Sequence, residues 1–318
     1  MFQFRTDLAL EAHELYSKDK NIADGIQVGS YKNDGITVTE IRITNKSGEK
    51  LLGKPIGSYV TIDAPNLLYS SSDYKNACRI LADELKKIYP IGDDTSILAV
   101  CLGNRDITAD ALGVNVFKNL MVTRHIKKYI PEHTDNSIRS VSAVAPGVIG
   151  TTGIETADII KGIVSETKPD VIFAVDSLAA RSLDRISTTI QIADTGIAPG
   201  AGIGNFTAAL NEETLGAKVI AIGVPTVVDA VTIVNDSIGM LSGMMKNKIT
   251  ESEMLSETQL RKISDMVEKS ISKNIGSLIV TPKEIDRIIQ KVSKTVANGI
   301  NLAVHSNLSL EDIDGYIN

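Results

Sequence analysis

Three short apolar runs, each ending in polar, glycine or proline residues, most restrict the fold that this chain can adopt. They read SILAVCLG, DVIFAVDS and AKVIAIGVP, and they occupy residues 96–103, 170–177 and 217–225. Continuous apolar runs of this length, separated by helical segments, are typical of parallel strands that are buried on both faces. The chain is therefore predicted to be an α/β protein with a largely parallel central sheet flanked by helices.

Other segments add to this prediction. Further strands are predicted from alternating side chains or short apolar runs: residues 36–45, 59–63 and 189–194. Helices are predicted from apolar residues at helical spacing or from a long apolar run: a short one from about Leu8, then residues 74–89, 225–246, 251–274 and 282–301. No internal repeat or clear linker interrupts this order, so we expect one large α/β domain with a helical C-terminal portion from about residue 250.

Composition excludes several classes of function. The net charge is -6 with Lys and Arg well mixed among the acids, so no basic patch for nucleic-acid phosphates is expected. No run of about 18 apolar residues occurs, and the N-terminus lacks an apolar signal segment, so we expect a cytoplasmic protein without a membrane span. Cys78 and Cys101 have no metal-ligand spacing and are predicted to be reduced, buried thiols.

Two aspartates are candidates for acid–base chemistry. Sites in open α/β sheets form beyond the carboxyl ends of the strands, because loops converge there. Asp106 and Asp110 follow the first run, and Asp176 is predicted to stand at the end of the second. Two acids from separate strand ends can act as general acid and base, since burial and repulsion separate their proton affinities. The alternative, which is commoner for such spacing, is that each carboxylate only caps a helix.

Other motifs give weaker signals. The loop Gly200–Gly204 is predicted to be a structural turn because it lacks the GxGxxG spacing; the alternative is the phosphate loop of a nucleotide-binding α/β protein. The sequence lacks the marked phosphate-loop, HExxH and GxSxG motifs. His125 is predicted to lie at the end of a helix, where stabilising the C-terminus is its commoner role.

Several phrases together resemble the germination protease (spore protease) family of endospore-forming bacteria. They are RTDLALE, LGNRDITADALG, VTRH, APGVIGTTGIET, VDSLAARS, TIQIADTGIAPGAGIGN and GVPTVVDA, in this order, from Arg5 to about Asp236. The resemblance implies an atypical aspartic-type endopeptidase that starts the degradation of small acid-soluble, DNA-coating spore proteins during germination. It also implies a homotetramer in the forespore and spore core, and a fold similar to the hydrogenase maturation endopeptidases.

The resemblance also assigns the two acids. The family's essential aspartates lie in the motifs TPDALG and IDALAARS, which read TADALG and VDSLAARS here, so the roles carry over to Asp110 and Asp176. Ala109 stands where the family motif has Pro. Related maturation endopeptidases use corresponding acids to hold nickel, so a metal-dependent peptidase is one alternative. We prefer a metal-free, cofactor-free site because the sequence shows no marked third ligand. A non-catalytic assembly module is a further alternative.

The stretch RTDLALE has two interpretations. Locally, Thr6 or Asp7 is a good N-cap for a helix that begins at Leu8. Through the resemblance, it matches the family's substrates, which are cut after an acid in the pattern Thr-Glu, apolar residue, Ala, any residue, Glu. The family is made as zymogens that remove their own N-terminal segment. We therefore predict self-cleavage between Asp7 and Leu8, with residues 1–7 as propeptide and residues 8–318 as a single peptidase domain.

Overall fold

The structure is a computed structural model of the chain. It describes residues 6–17, 24–130, 132, 137–198, 208–230, 232–234, 237, 262, 266 and 278–317. The loop Gly200–Gly204 lies outside the described residues, as does most of the helix predicted over residues 251–274.

The described part of the chain contains a nine-stranded mixed sheet. Its strands are β1 (Ile26–Asn33), β2 (Ile36–Ile43), β3 (Gly57–Asp63), β4 (Ser96–Cys101), β5 (Ser140–Val144), β6 (Val171–Ala180), β7 (Thr189–Ala193), β8 (Lys218–Asp229) and β9 (Ile279–Val280). They lie in the order β1-β2-β3-β7-β8-β6-β4-β5, with β9 paired to β8. All six strands predicted from the sequence are confirmed.

The sheet divides into a parallel and an antiparallel part. Strands β5, β4, β6 and β8 pair in parallel, as the apolar runs predict, whereas β8, β7, β3, β2 and β1 pair antiparallel. The difference follows from the connections, because a two-residue turn can only join antiparallel strands, whereas parallel strands need a crossover. Asp34 and Gly35 form such a turn between β1 and β2, both with positive φ.

Helices cover both faces of the sheet, which confirms the α/β class. They are α1 (Ala9–Ser17), α2 (Lys46–Leu52), α3 (Ser71–Ile88), α4 (Leu112–Lys118), α5 (Arg124–Tyr129), α6 (Ile149–Thr152), α7 (Thr156–Thr167), α8 (Glu212–Leu215), α9 (Ile285–Val304) and α10 (Leu310–Ile317). Within the described ranges, none of them is long and apolar enough to cross a membrane.

Alternate residues of the central strands face two separate cores. Phe173 packs on one face against Leu81 of α3 and Val296 of α9. Ile172 packs on the other face, against Ile160 of α7. The N-terminal helix α1 extends this second face toward the antiparallel strands, where Ala9 and Leu10 join a core with residues of β2, β3, β7 and β8. The N-terminus is therefore part of the packed fold.

The helix predicted over residues 225–246 is wrong at its start. Strand β8 continues through Pro225 to Asp229, and the described helical positions begin at Ala230. Short apolar runs do not distinguish a buried strand from a buried helix by periodicity, and here the strand has neighbours along its whole length. The carbonyl of Pro225 accepts a hydrogen bond from the Ser187 N–H at 2.7 Å.

Candidate active site

Asp110 lies beyond the carboxyl end of β4, in the 3-10 turn Thr108–Asp110 that leads into α4. The backbone N–H of Asn104 donates to the Asp110 Oδ2 atom at 3.0 Å and to its backbone carbonyl at 3.1 Å. The hydroxyl of Thr226 on β8 donates to the carbonyl of Ala109 at 2.6 Å. The loop that carries Asp110 is thus attached to two strands of the sheet.

Asp176 lies within strand β6, and the prediction that it ends its strand is wrong. Asp176 pairs with Gly223 of β8, and the pairing continues beyond a register shift between Leu178 and Ala179. Because β8 also continues past Gly223, the polar residue does not end the strand. The Asp176 side chain is buried, with the residue 7% exposed, and its Oδ1 atom accepts from the Ser177 N–H at 2.8 Å.

The charge of Asp110 influences the ionisation of Asp176. Burial raises the pKa of Asp176 well above its ordinary value, and the negative charges of Asp110 and of Asp7 raise it further. Burial also raises the pKa of Asp110, to about 6, against the lowering effect of the Asn104 N–H. Burial and the neighbouring charges thus both favour the protonated form of Asp176.

The N-terminal segment lies against the same part of the sheet. The Asp7 N–H donates to the Ala179 carbonyl at 2.9 Å, and the Ala179 N–H donates to the Asp7 Oδ2 atom at 2.8 Å. The side-chain amide of Gln191 on β7 donates to the Asp7 carbonyl at 3.0 Å and accepts from the Ala9 N–H at 2.7 Å. Leu8 is fully buried. The peptide bond between Asp7 and Leu8 is therefore held on strands β6 and β7, close enough to Asp176 for the charge of Asp7 to act on it.

Glu11 holds the other end of this segment. Its carboxylate accepts from the backbone N–H groups of Arg181 at 2.6 Å and Ser182 at 2.8 Å. The guanidinium of Arg185 lies 3.5 Å from its Oε1 atom. The hydroxyl of Thr6 also donates to this carboxylate. The acid four residues after the Asp7–Leu8 bond thus has a binding pocket of its own.

Thr6 also serves the helix start that the sequence predicts. Its Oγ1 atom accepts from the Leu8 N–H at 3.1 Å, and α1 begins one residue later, at Ala9. The predicted cleavage site therefore lies at the entry to a helix.

Lys54 lies near this segment. Burial lowers the pKa of Lys54, while the carboxylates of Asp7 and Glu11 raise it. The guanidinium of Arg185 offsets part of the negative charge that Asp7 and Glu11 bring to a site that already holds two acids.

Replacing Glu11 by Gln is expected to loosen the N-terminal segment. The neutral amide loses the charge-assisted hydrogen bonds from Arg181 and Ser182 and the attraction of Arg185, a loss of about 1.5–3 kcal/mol. Hydrogen exchange measures this loss. The Ala12 N–H, which donates to the Leu8 carbonyl, should exchange faster in the variant than in the parent chain.

The control for this change is Glu14→Gln. Glu14 also binds Arg185, but its side chain is 47% exposed, so its loss is expected to cost less than about 1 kcal/mol. Equal exchange rates in the Glu11 and Glu14 variants would contradict the role given to Glu11.

The other candidates lie apart from this site or do not suit its chemistry. His125 is the second residue of α5, so its predicted position at a helix end is wrong. Cys78 and Cys101 are buried and free, as predicted, and burial raises the pKa of each to about 12, so neither is a thiolate near neutral pH.

Among the described residues, no three His, Cys, Asp or Glu side chains form a metal-binding group. A third ligand beside Asp110 and Asp176 is thus lacking in that part.

Two residues of the site were missed from the sequence. Gln191 interrupts the apolar strand β7, all of whose residues are buried, and a buried amide among apolar residues is a usable signal. Arg185 gives no such signal. It lies in a polar loop, and its ion-pair partners Glu11 and Glu14 are distant in sequence.

Comparisons with known proteins give the family of this chain. The family model described as germination protease matches residues 6–265 and 253–317. The germination proteases of Clostridium acetobutylicum and Clostridium tetani are each 44% identical to this chain, over 100% and 99% of both sequences. That of Bacillus mycoides is 38% identical, over 99% of this chain and 97% of its own.

A solved structure also matches, more weakly. The NiFe hydrogenase maturation protease HycI from Thermococcus kodakarensis covers 60% of this chain and 99% of its own, with 17% identity and a TM-score of 0.28. A structural similarity this weak supports no conclusion about this chain. The family model and the full-length relatives, in contrast, show that this chain belongs to the germination protease family.

Proposed function

We propose that this protein is an atypical aspartic-type endopeptidase that starts the degradation of small acid-soluble spore proteins during germination, in the cytoplasm of the forespore and spore core. Membership of a peptidase family gives the reaction class, which is hydrolysis of a peptide bond. The observation that supports the proposal is the position of the Asp7–Leu8 bond, which Ala179 and Gln191 hold on strands β6 and β7, where the charge of Asp7 acts on Asp176.

Asp110 and Asp176 are the proposed catalytic pair. One carboxylate, ionised, takes a proton from the water that attacks the scissile carbonyl carbon, while the other, protonated, donates to the leaving amine. The raised pKa values of both groups support these roles, because burial favours the protonated form of each and the charge of Asp110 further favours a proton on Asp176. No metal or other cofactor takes part in this proposed scheme.

The substrates are proposed to share the pattern of the N-terminal segment. Asp7, Leu8, Ala9 and Glu11 match the acid, apolar, Ala and Glu positions of the pattern, and contacts described above hold each of them. A small acid-soluble protein with this pattern would place its acid where Asp7 lies.

The proposed assembly is a homotetramer, which sedimentation would test. Neither nucleic acid nor a membrane is a proposed partner.

The chain is proposed to be a zymogen that cleaves itself between Asp7 and Leu8. We expect the processed protein to begin at Leu8. The rate of self-cleavage should be the same with and without exhaustive chelation of metal ions, because two carboxyl groups suffice for the proposed chemistry. N-terminal sequencing of the processed chain measures the site, and incubation with a small acid-soluble spore protein measures the activity.

Two results would refute parts of this proposal. A processed N-terminus other than Leu8 would refute the assigned cleavage site. A chain that neither cleaves itself nor cuts a small acid-soluble protein would instead favour a non-catalytic assembly module.

A further inference from the structure

Gln191 is a buried polar side chain in an apolar strand. It is 7% exposed, and its neighbours Ile190 and Ile192 are fully buried. Burying an amide costs free energy unless its donor and acceptor are paired. Both ends of this amide pair with the N-terminal segment: Nε2 donates to the Asp7 carbonyl, and Oε1 accepts from the Ala9 N–H. Gln191 therefore contacts the peptide on both sides of the Asp7–Leu8 bond.

Gln191 and Asp176 lie in one row across the sheet. Gly223 of β8 pairs with Asp176 of β6 on one side and with Gln191 of β7 on the other. Directly opposed residues point to the same face, and strands lie about 4.8 Å apart, so the two side chains rise from positions about 10 Å apart. Gly223 has no side chain between them, and a Cβ there would lie 2.4 Å from the Leu178 Cδ1 atom. The row thus has an acid at one end and an amide at the other.

We infer that Gln191 is a catalytic residue whose side-chain amide stabilises the negative charge that develops on the scissile carbonyl oxygen. This inference rests on the proposed peptidase function. Preorganised side-chain amides are among the donors that serve as oxyanion sites, and their effect is largest where water is excluded. The Gln191 amide meets both conditions, since it is buried and already donates to the Asp7 carbonyl.

The water oxygen forms a bond to the Asp7 carbonyl carbon, its proton passes to the ionised carboxylate, and the π electron pair moves to the carbonyl oxygen. The Gln191 N–H donates to that oxyanion. When the C–N bond breaks, the electron pair returns to the carbonyl, and the Leu8 nitrogen leaves with its bonding pair and takes a proton from the protonated carboxyl. One water is consumed, and a carboxyl group and an amine result.

The acceptor atom of the Gln191 amide fixes the position of the bound peptide along the strand. Its Oε1 atom accepts from the N–H of the second residue after the scissile bond, which is Ala9 in this chain. A substrate held in the same way has its scissile carbonyl fixed against the Gln191 amide. The donor therefore acts on the reacting atom, and the acceptor positions it.

The test compares variants on a peptide substrate that carries the Thr6–Glu11 pattern. Gln191→Glu keeps the acceptor and lacks the donor, so kcat is expected to fall by about 10²–10³-fold with KM little changed. Gln191→Met lacks both, so KM should rise as well. Gln191→Asn keeps an amide, but its side chain is too short to reach the scissile carbonyl, so kcat should fall here too. Thermal unfolding shows which variants fold, and Gln191→Asn decides the test if either of the other two does not.

Thr61→Val is the matched control. Thr61 pairs with Gln191 in the sheet and is equally buried, and its hydroxyl has no hydrogen-bond partner in the described part of the chain. We expect its kcat to stay within about twofold of the parent value. A folded Gln191→Glu or Gln191→Asn variant with the parent kcat would overturn the inference. Failure of the proposed function is distinct: the parent chain would not cleave, or Asp176→Asn would cleave at the parent rate.

Discussion

Peptidase activity is expected to fall by on the order of 10³-fold or more when either Asp110 or Asp176 is replaced by Asn. An amide can neither take a proton from water nor donate one to the leaving amine, so each replacement removes one half of the acid–base pair. The kcat/KM on a small acid-soluble spore protein measures the loss, and self-cleavage between Asp7 and Leu8 should stop as well.

The same variants are expected to be more stable than the parent chain at neutral pH. A carboxyl whose folded pKa is raised binds its proton more tightly in the folded state, so its stabilising effect is complete below its unfolded pKa and is lost as pH rises. For Asp110 this loss extends from about pH 3.8 through about pH 6. The Tm of Asp110→Asn should therefore exceed that of the parent at pH 7.5, and the difference should shrink toward pH 4.

Asp106→Asn is the control for both measurements. Asp106 lies in the same loop as Asp110 but is exposed, and its backbone N–H donates to the Asn104 side chain. Its replacement should leave both kcat/KM and Tm near the parent values. Full activity in Asp110→Asn or Asp176→Asn would remove the basis for the proposed mechanism.

Gly113→Ala is expected to lower both stability and activity. Gly113 is buried in the first turn of α4, and a Cβ there would lie 2.2 Å from the Leu102 carbonyl oxygen and 2.6 Å from its nitrogen. Both atoms belong to the backbone and cannot rotate away, so α4 must move off the end of β4. Overpacking of this kind costs about 3 kcal/mol. Denaturant unfolding measures this cost, and kcat should fall because Asp110 immediately precedes α4.

Gly162→Ala is the matched control. Gly162 is exposed in the interior of α7, and an added Cβ meets nothing within 4 Å. Alanine is the better helix former, so this variant should gain about 0.5–1 kcal/mol of stability. A Gly113→Ala chain with the parent stability and kcat would show that α4 tolerates the displacement.

The sequence predicts most of the sheet because burial leaves a local signal. Residues that are buried on both faces must be apolar, so the strands that contain Val100, Phe173 and Ile220 are visible as short runs. The end of a strand leaves a weaker signal, because it depends on whether the neighbouring strand continues. For this reason the sequence predicts strand ends at Asp176 and Pro225, although β6 and β8 pair with each other beyond both residues.

The site was only partly visible in the sequence. Asp110 and Asp176 can be proposed from their positions in or after the apolar runs, but helix capping is the commoner role for such spacing, and only the family resemblance favours catalysis. The contacts of Asp7 with Ala179 and Gln191 join residues that are far apart along the chain, and no local pattern encodes such a contact. Their positions follow only from the register of β6, β7 and β8.

The docking of residues 6–11 on their own sheet has a kinetic consequence. In the proposed zymogen the bond to be cut is already docked on the sheet that carries Asp176, so the proposed self-cleavage requires no encounter between molecules. Its rate would be first order, and the half-life of the uncut chain would not change on dilution. Cleavage of a separate substrate, in contrast, depends on both concentrations. Maturation would thus be a property of each folded chain, independent of how many copies surround it.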